Sequence, residues 1–272
     1  MKRAALALLI VCMAAADLRA QSSTPEQGDQ GEHDEEMREV VVAPPSAPVE
    51  QVPEHAGMLR IPGAAIVLGG NERTLKPYWL DRTEVTVAAY RRCVVAGACP
   101  VPGRSSPYCT FDRAGSSDEL PVSCVRHAGA VAFCMHRGAR LPSEAEWELA
   151  ARGRTEHKFP WGDARPACAV AATLRSDHTA KSCTGDGPAR VGTHPLGRSP
   201  FGIEDLAGNV EEWTADFFVD PMPAAPPKSG ASFVLRGGSW LLGPSYARTD
   251  ARSAGSSMEA GPGVGFRCAK GA

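Results

Sequence analysis

No stretch of this chain reaches 18 consecutive apolar residues, so no hydrophobic membrane-spanning helix is expected in it. Neither sign of charge dominates: 29 Lys and Arg stand against 31 Asp and Glu. Residues 57–272 carry 25 bases and 21 acids spread along the chain, which leaves no clustered basic footprint for nucleic acid. There is no C-x2-C pair, so a structural zinc site is not expected. The seven histidines contain neither HExxH nor a closely spaced trio. No G-x-S-x-G elbow presents a nucleophile, and Ser176, Asp177 and His178 are adjacent residues that seldom face one another, so a hydrolytic triad is not expected either. No internal repeat is visible.

What is present changes character along the chain. Lys2 and Arg3, an apolar run from Ala4 to Ala16 and small residues near Ala20 read as a secretory signal peptide over 1–20, cleaved after Ala20 or Ala16. A lipid-anchored form through Cys12 fits less well, because bulky Val11 precedes it. Residues 21–56 hold nine acids against the single base Arg38, with five prolines. With so little apolar surface to offset the entropy of ordering, they read as an acidic, Pro-rich disordered tether. Residues 57–272 are the candidate domain, expected in the periplasm or outside the cell.

Nine cysteines include Cys12, lost with the leader; the eight that remain are an even number in an exported chain, which argues for disulfides. Cys168 and Cys183 are a plausible local pair. Residues 58–70 read as one strand ended by Gly69-Gly70, and 79–86 as a second. Thr86 then caps a helix with Val87, Tyr90 and Val94 at helical spacing and Gly97 as its stop. A short strand over 121–127 precedes a helix over 128–138. Ser143 and Glu146 form a capping box, which puts Trp147, Ala150 and Ala151 on one helix face. Glu144, Glu146 and Glu148 invite reading as an acid–base cluster, but only 144 and 148 share a face and 146 is used in the cap. They are read as helix structure. Residues 154–200 are nearly all loop signals.

Five blocks then occur in order: RLPSEAEWELAARG (140–153), FPWGD (159–163), FGIEDLAGNVEEWTADFF (201–218), VLRGGSW (234–240) and GVGFRC (263–268). Together, over roughly 58–270, they resemble the formylglycine-generating enzyme, or sulfatase-modifying-factor, family. The resemblance implies an α+β, C-type-lectin-like fold, coil-rich with small twisted sheets and stabilised by disulfides. It implies a bridge between Cys134 and Cys268, and leaves Cys93, Cys99, Cys109 and Cys124 with three possible pairings. A second family bridge would fall on Ala151 and Arg252 and is therefore absent.

For activity the resemblance implies something different. Oxidase members carry two cysteines after the GGS[WY] turn that bind Cu(I) as thiolates, and those positions are Leu242 and Ala247 here. The family tryptophan of NVWEW is Glu211. Copper is accordingly not expected, and the chain reads as a pseudoenzyme in which Arg236 to Trp240 form a structural turn. A family calcium site carries over as Asp205, the carbonyls of Gly208 and Val210, and Glu212, hard oxygen ligands suited to Ca2+. A second family calcium site is not reproduced, since Ala169 to Ala171 offer no side-chain oxygen. Iron-enzyme relatives hold their metal on histidines of a separate helical domain, so an iron role is not expected here. A groove lined by Glu211, Ser239, Trp240, Arg248 and Arg252 is the expected place for a peptide, glycan or protein ligand. The rival reading is a copper-dependent formylglycine-generating oxidase acting on a cysteine of a sulfatase-type peptide, with copper ligands drawn from elsewhere.

Overall fold

Proline and glycine decide where the first strands stop. The computed structural model describes residues 57–113, 118–174, 181–258 and 260–272; the leader, the tether and the Ser176–His178 stretch lie outside these residues. The single strand expected over 58–70 is two, β1 (Met58–Ile61) and β2 (Ala65–Leu68), because Pro62 has no N–H to continue a ladder. β2 pairs antiparallel with β3 (Asn71–Thr74) across Gly69 and Gly70, whose φ values of 55° and 79° suit a tight two-residue hairpin turn.

The strand expected over 79–86 is shorter and shifted: β4 (Tyr78–Asp81) pairs with β1 on one side. Its other neighbour is β9 (Ala269–Gly271), so the two ends of the domain meet in one three-stranded sheet. Thr86 caps α1 (Val87–Val95) by accepting the Ala89 N–H at 3.2 Å, as read from the sequence. No strand forms over 121–127. Only a bridge from Pro121 to Thr86 survives there, and Cys124 at φ 61° breaks extended backbone. Two further helices follow, α2 (His127–His136) and α3 (Glu144–Arg152). The α3 capping box is complete: Ser143 Oγ accepts the Glu146 N–H, and the Glu146 carboxylate accepts the Ser143 N–H at 2.8 Å.

A second sheet has the order β7-β6-β5-β8, built from β5 (Glu211–Phe217), β6 (Ser232–Arg236), β7 (Ser253–Ser256) and β8 (Val264–Gly265). Register places Glu212 opposite Arg236 and Trp213 opposite Leu235. The apolar side chains form two main clusters. In one, Tyr90 stacks on Phe133 and meets Phe266 edge-on; in the other, Trp147, Leu149, Ala150 and Ala151 of α3 pack on Ile61, Leu80 and Leu206. The two alanines are fully buried, which is what lets this short helix lie against the sheet.

All eight described cysteines are bridged. Cys134 joins Cys268 and Cys168 joins Cys183, as expected, and the open set resolves into Cys93–Cys99 and Cys109–Cys124. The result is a disulfide-stabilised α+β domain whose loops outweigh its short helices and strands.

Candidate functional site

The loop from Ile203 to Val210 is curled by three left-handed residues in five, Asp205 (φ 58°), Gly208 (φ 83°) and Asn209 (φ 63°). At Gly208 a Cβ would lie 2.4 Å from the Ala172 carbonyl oxygen, so no other residue fits there. Asn209, almost fully buried, ties the loop to its surroundings. Its amide nitrogen donates to Glu84 at 3.0 Å and its carbonyl oxygen accepts the Ala189 N–H at 2.9 Å.

Beneath this loop lies a charged network with no access to water. Arg267 donates to both Glu212 oxygens at 2.7 Å, and Trp147 Nε1 adds a third bond at 2.8 Å. The remaining Arg267 donors reach the carbonyls of Asp81, Arg82 and Glu204. Beside this pair Glu84 is 2% exposed, and its Oε2 has no hydrogen-bond partner. Burial pushes the Glu84 carboxyl well above its usual range, and the neighbouring charge of Asp205 pushes it further. Asp205 is raised too, chiefly by burial, against the opposing pull of the Gly192 N–H that it accepts.

Of the expected calcium set, Glu212 already has protein partners. Glu212 is committed to Arg267 and Trp147, so its charge is already balanced by a guanidinium. Asp205 keeps a buried carboxylate that accepts the Gly192 N–H, and its charge acts on the buried Glu84 carboxyl. Among the described residues no group of three or more His, Cys, Asp or Glu is arranged to hold a metal.

A second network holds the RGGSW segment. The Arg236 side chain, with 0% exposure, sits between Glu144 and Glu148, accepts nothing, and donates also to the Thr249 carbonyl. It lies over the Trp147 ring, 5.2 Å from the centroid. Arg252 completes Glu144 from the far side at 2.6 and 3.1 Å, and Arg152 completes Glu148 at 2.8 Å. Sequence reasoning found the shared face of Glu144 and Glu148 but not what the face is for. The signal was there: two acids on an otherwise buried helix face require cations.

The five groove residues do not converge. Glu211, Ser239 and Trp240 gather around residues 262–263: the Glu211 N–H donates to the Gly263 carbonyl at 2.7 Å, and Trp240 Nε1 donates to Pro262 at 3.3 Å. Burial raises the Glu211 carboxyl, partly offset by the Ser253 hydroxyl. Tyr108 meets the Trp240 ring edge-on at 5.8 Å. Arg248 and Arg252 instead line a separate cavity of about 530 Å3 with Arg152, His157 and Lys158. Arg248 is paired with Asp250 at 2.7 and 2.8 Å, and Arg252 with Glu144. The two positions matched to copper ligands are apolar in their surroundings as well. Ala247 is fully buried with Phe159, Val170, Ala171 and Ala207, and Leu242 is half-buried.

The family described as Sulfatase-modifying factor enzyme 1-like domain matches residues 43–272. The formylglycine-generating enzyme of Mycobacterium tuberculosis is 38% identical over 200 residues, 64% of this chain and 64% of that protein. A mouse protein described as inactive C-alpha-formylglycine-generating enzyme 2 is 35% identical over 171 residues, 57% of this chain and 50% of its own length. The hercynine oxygenase of Mycolicibacterium smegmatis is 35% identical over 170 residues, 54% of this chain and 38% of its own. The chain thus spans less than two thirds of the length of these relatives. Among solved structures, PvdO from Pseudomonas aeruginosa aligns with a TM-score of 0.63 at 22% identity, covering 79% of this chain and 94% of that one. CarF aligns at 0.58 and 18% identity, covering 79% and 98%.

Proposed function

The chain belongs to the sulfatase-modifying factor enzyme 1-like domain family, and we propose that within it the protein is an exported binding or scaffold module without the oxidase chemistry. One observation carries the reading. The two positions where the resemblance puts the copper thiolates are Leu242 and Ala247, and every described cysteine is committed to a disulfide. Cu(I) requires soft sulfur donors, and neither an isobutyl nor a methyl group has a lone pair to offer. Relatives named as formylglycine-generating enzymes and one named as inactive occur side by side, so the family accommodates both outcomes.

Ligand binding in this reading belongs to the surface beside Glu211, where exposed Tyr108 covers the buried Trp240 and Ser239. There an acid of raised pKa adjoins an aromatic pair, a combination suited to a peptide, glycan or protein partner. Four disulfides support residence in an oxidising compartment, the periplasm or the cell exterior. For calcium, Asp205 and the carbonyls of Gly208 and Val210 remain the proposed ligands, with Glu84 supplying the second carboxylate in place of Glu212. Hard oxygens of this kind neutralise their own charge against Ca2+, which would relieve the burial of two acids.

The test is a copper titration of the native protein with its disulfides intact, followed by mass spectrometry of a cysteine-containing sulfatase-type peptide incubated with it. No stoichiometric Cu(I) binding and an unchanged peptide mass are expected. A one-to-one copper site with conversion of the peptide cysteine to the aldehyde would restore the oxidase reading.

A further inference from the structure

The four bridges differ in what a reagent from solution can reach. Cys93, Cys99, Cys109, Cys124, Cys134 and Cys268 are each at most 7% exposed. Cys168 is exposed, and its partner Cys183 is half-buried. Cys168 lies in a turn where the Val170 and Ala171 N–H groups both donate to the Ala167 carbonyl, at 2.9 and 3.1 Å. Its neighbours Ala167 and Ala169 are small and exposed, so neither screens the sulfur. Thiol–disulfide exchange needs a thiolate to reach a sulfur of the bridge, so its rate follows access.

The chain that leaves this turn is inlaid in the domain. Val170, Ala171, Ala172 and Thr173 are each at most 4% exposed. The Ala172 carbonyl accepts the Asn209 N–H at 2.7 Å, and the Leu174 N–H donates to the Leu242 carbonyl at 2.9 Å. The Cys183 N–H closes back on the Thr173 carbonyl at 2.9 Å. One short segment therefore touches the left-handed loop at Asn209 and the residue Leu242 after the GGSW turn. The exposed bridge fastens that segment from outside: Cys168 precedes it, and Cys183 is bonded to its end.

We propose that Cys168–Cys183 is a thiol-exchange site for a dithiol, and that its redox state controls how firmly residues 171–174 hold Asn209 and Leu242. One thiolate of the dithiol attacks the exposed Cys168 Sγ. The new S–S bond forms as the Cys168–Cys183 bond breaks, and Cys183 leaves as a thiolate that takes up a proton. The second thiol of the reagent then attacks its own sulfur in the mixed disulfide and frees Cys168. The dithiol ends as a disulfide, oxidised by two electrons, and this chain gains those two electrons as two thiols. The site is distinct from the surface beside Glu211, and it stands whether or not the oxidase chemistry is absent.

The experiment treats the folded full chain with dithiothreitol, quenches samples over time with iodoacetamide and maps the labels by mass spectrometry. Cys168 and Cys183 should be labelled about ten-fold or more faster than the other six cysteines. With glutathione, a monothiol, the trapped adduct should sit on Cys168. Hydrogen exchange of the Leu174 and Asn209 amides should quicken about ten-fold or more after this reduction, while the Tyr90 amide of α1 keeps its rate. Cys168→Ser with Cys183→Ser should show the same faster exchange without any reductant. Another bridge labelled as fast or faster overturns the proposal. So does a glutathione adduct on Cys183, or unchanged exchange at Leu174 and Asn209. These readings come from the wild-type protein, so they decide the matter even if the double variant fails to fold.

Discussion

Replacing Arg267 by methionine removes the one cation among the described residues that is paired with Glu212, where the two side chains are 0% and 1% exposed. Breaking such a pair by deleting one partner costs about 3–5 kcal/mol, because the remaining charge stays buried. The upper end of that range is expected here, since the carbonyls of Asp81, Arg82 and Glu204 lose a donor at the same time. Against a total stability of about 5–15 kcal/mol, this is a third or more of what holds the domain folded. The assay is urea denaturation with disulfides intact. The double variant Arg267→Met with Glu212→Leu should recover much of the loss, because neither charge is then left alone. The deficit of the single variant should also depend on pH. Removing the guanidinium takes away a positive charge that lowers the Glu84 and Asp205 carboxyls, so both, already raised by burial, rise further above their unfolded values of about 4. Stability in that variant is then held below these values and lost as pH rises, making the deficit larger at pH 7.5 than at pH 5. A loss of under about 1 kcal/mol, or a double variant as unstable as the sum of the singles, would refute the reasoning.

Serine at both Cys134 and Cys268 should cost about 4–5 kcal/mol, and serine at both Cys93 and Cys99 about 2, because the first bridge closes a 134-residue loop and the second one of six; equal losses by denaturation would show that loop length is not the cause. The wild-type protein should melt higher in calcium than in EDTA, with Asp205→Ala and Glu84→Gln each cancelling the difference; a calcium shift unchanged in both variants, or none in wild type, removes the proposed site. His127 stacks on Phe233 and its Nε2 lies 3.0 Å from the Thr214 carbonyl, while burial lowers its pKa. A depressed folded pKa means its contribution is full above the unfolded value of about 6.5 and fades as pH falls through the folded one. The gap between wild type and His127→Gln should therefore shrink between pH 7.5 and 5.5, and a gap constant with pH would show that the ring titrates alike in both states.

Local chemistry made the helices legible. Thr86, the Ser143 capping box and the alanine face of α3 each act within a turn or two, and each appears where the sequence puts it. The strands were harder because their partners are remote and their lengths short: β8 is two residues that pair parallel with β5 across more than 50 positions. Cys124 looked extended by its neighbours, yet a disulfide to Cys109 and a positive φ take the backbone elsewhere. Buried charge was least legible of all. Glu148 meets Arg236 at a separation of 88 residues and Glu212 meets Arg267 at 55, distances over which spacing carries no information. For the same reason the pairing of Arg252 with Glu144, 108 residues away, was not legible.

Under the proposed function, Arg236 and Arg267 account for how the scaffold stands without copper ligands. Arg236 anchors the RGGSW segment on Glu144 and Glu148, and Arg267 anchors the GFRC segment on Glu212; both networks touch Trp147 of α3, one through its ring face and the other through Nε1. Neither network involves Leu242 or Ala247. The GGSW turn is therefore held by ion pairs, hydrogen bonds and packing, so a change of two cysteines to leucine and alanine removes ligands while leaving the supports in place. Ala247 goes further, filling an apolar contact with Phe159 and Ala207 where a thiolate would be costly to bury without a metal. On this account, restoring cysteine at 242 and 247 together should give back Cu(I) binding with little loss of fold, whereas Arg236→Ala should unfold the segment without touching either position. A double-cysteine variant that folds normally and still binds no copper would show that the ligand positions have moved apart, not merely been substituted.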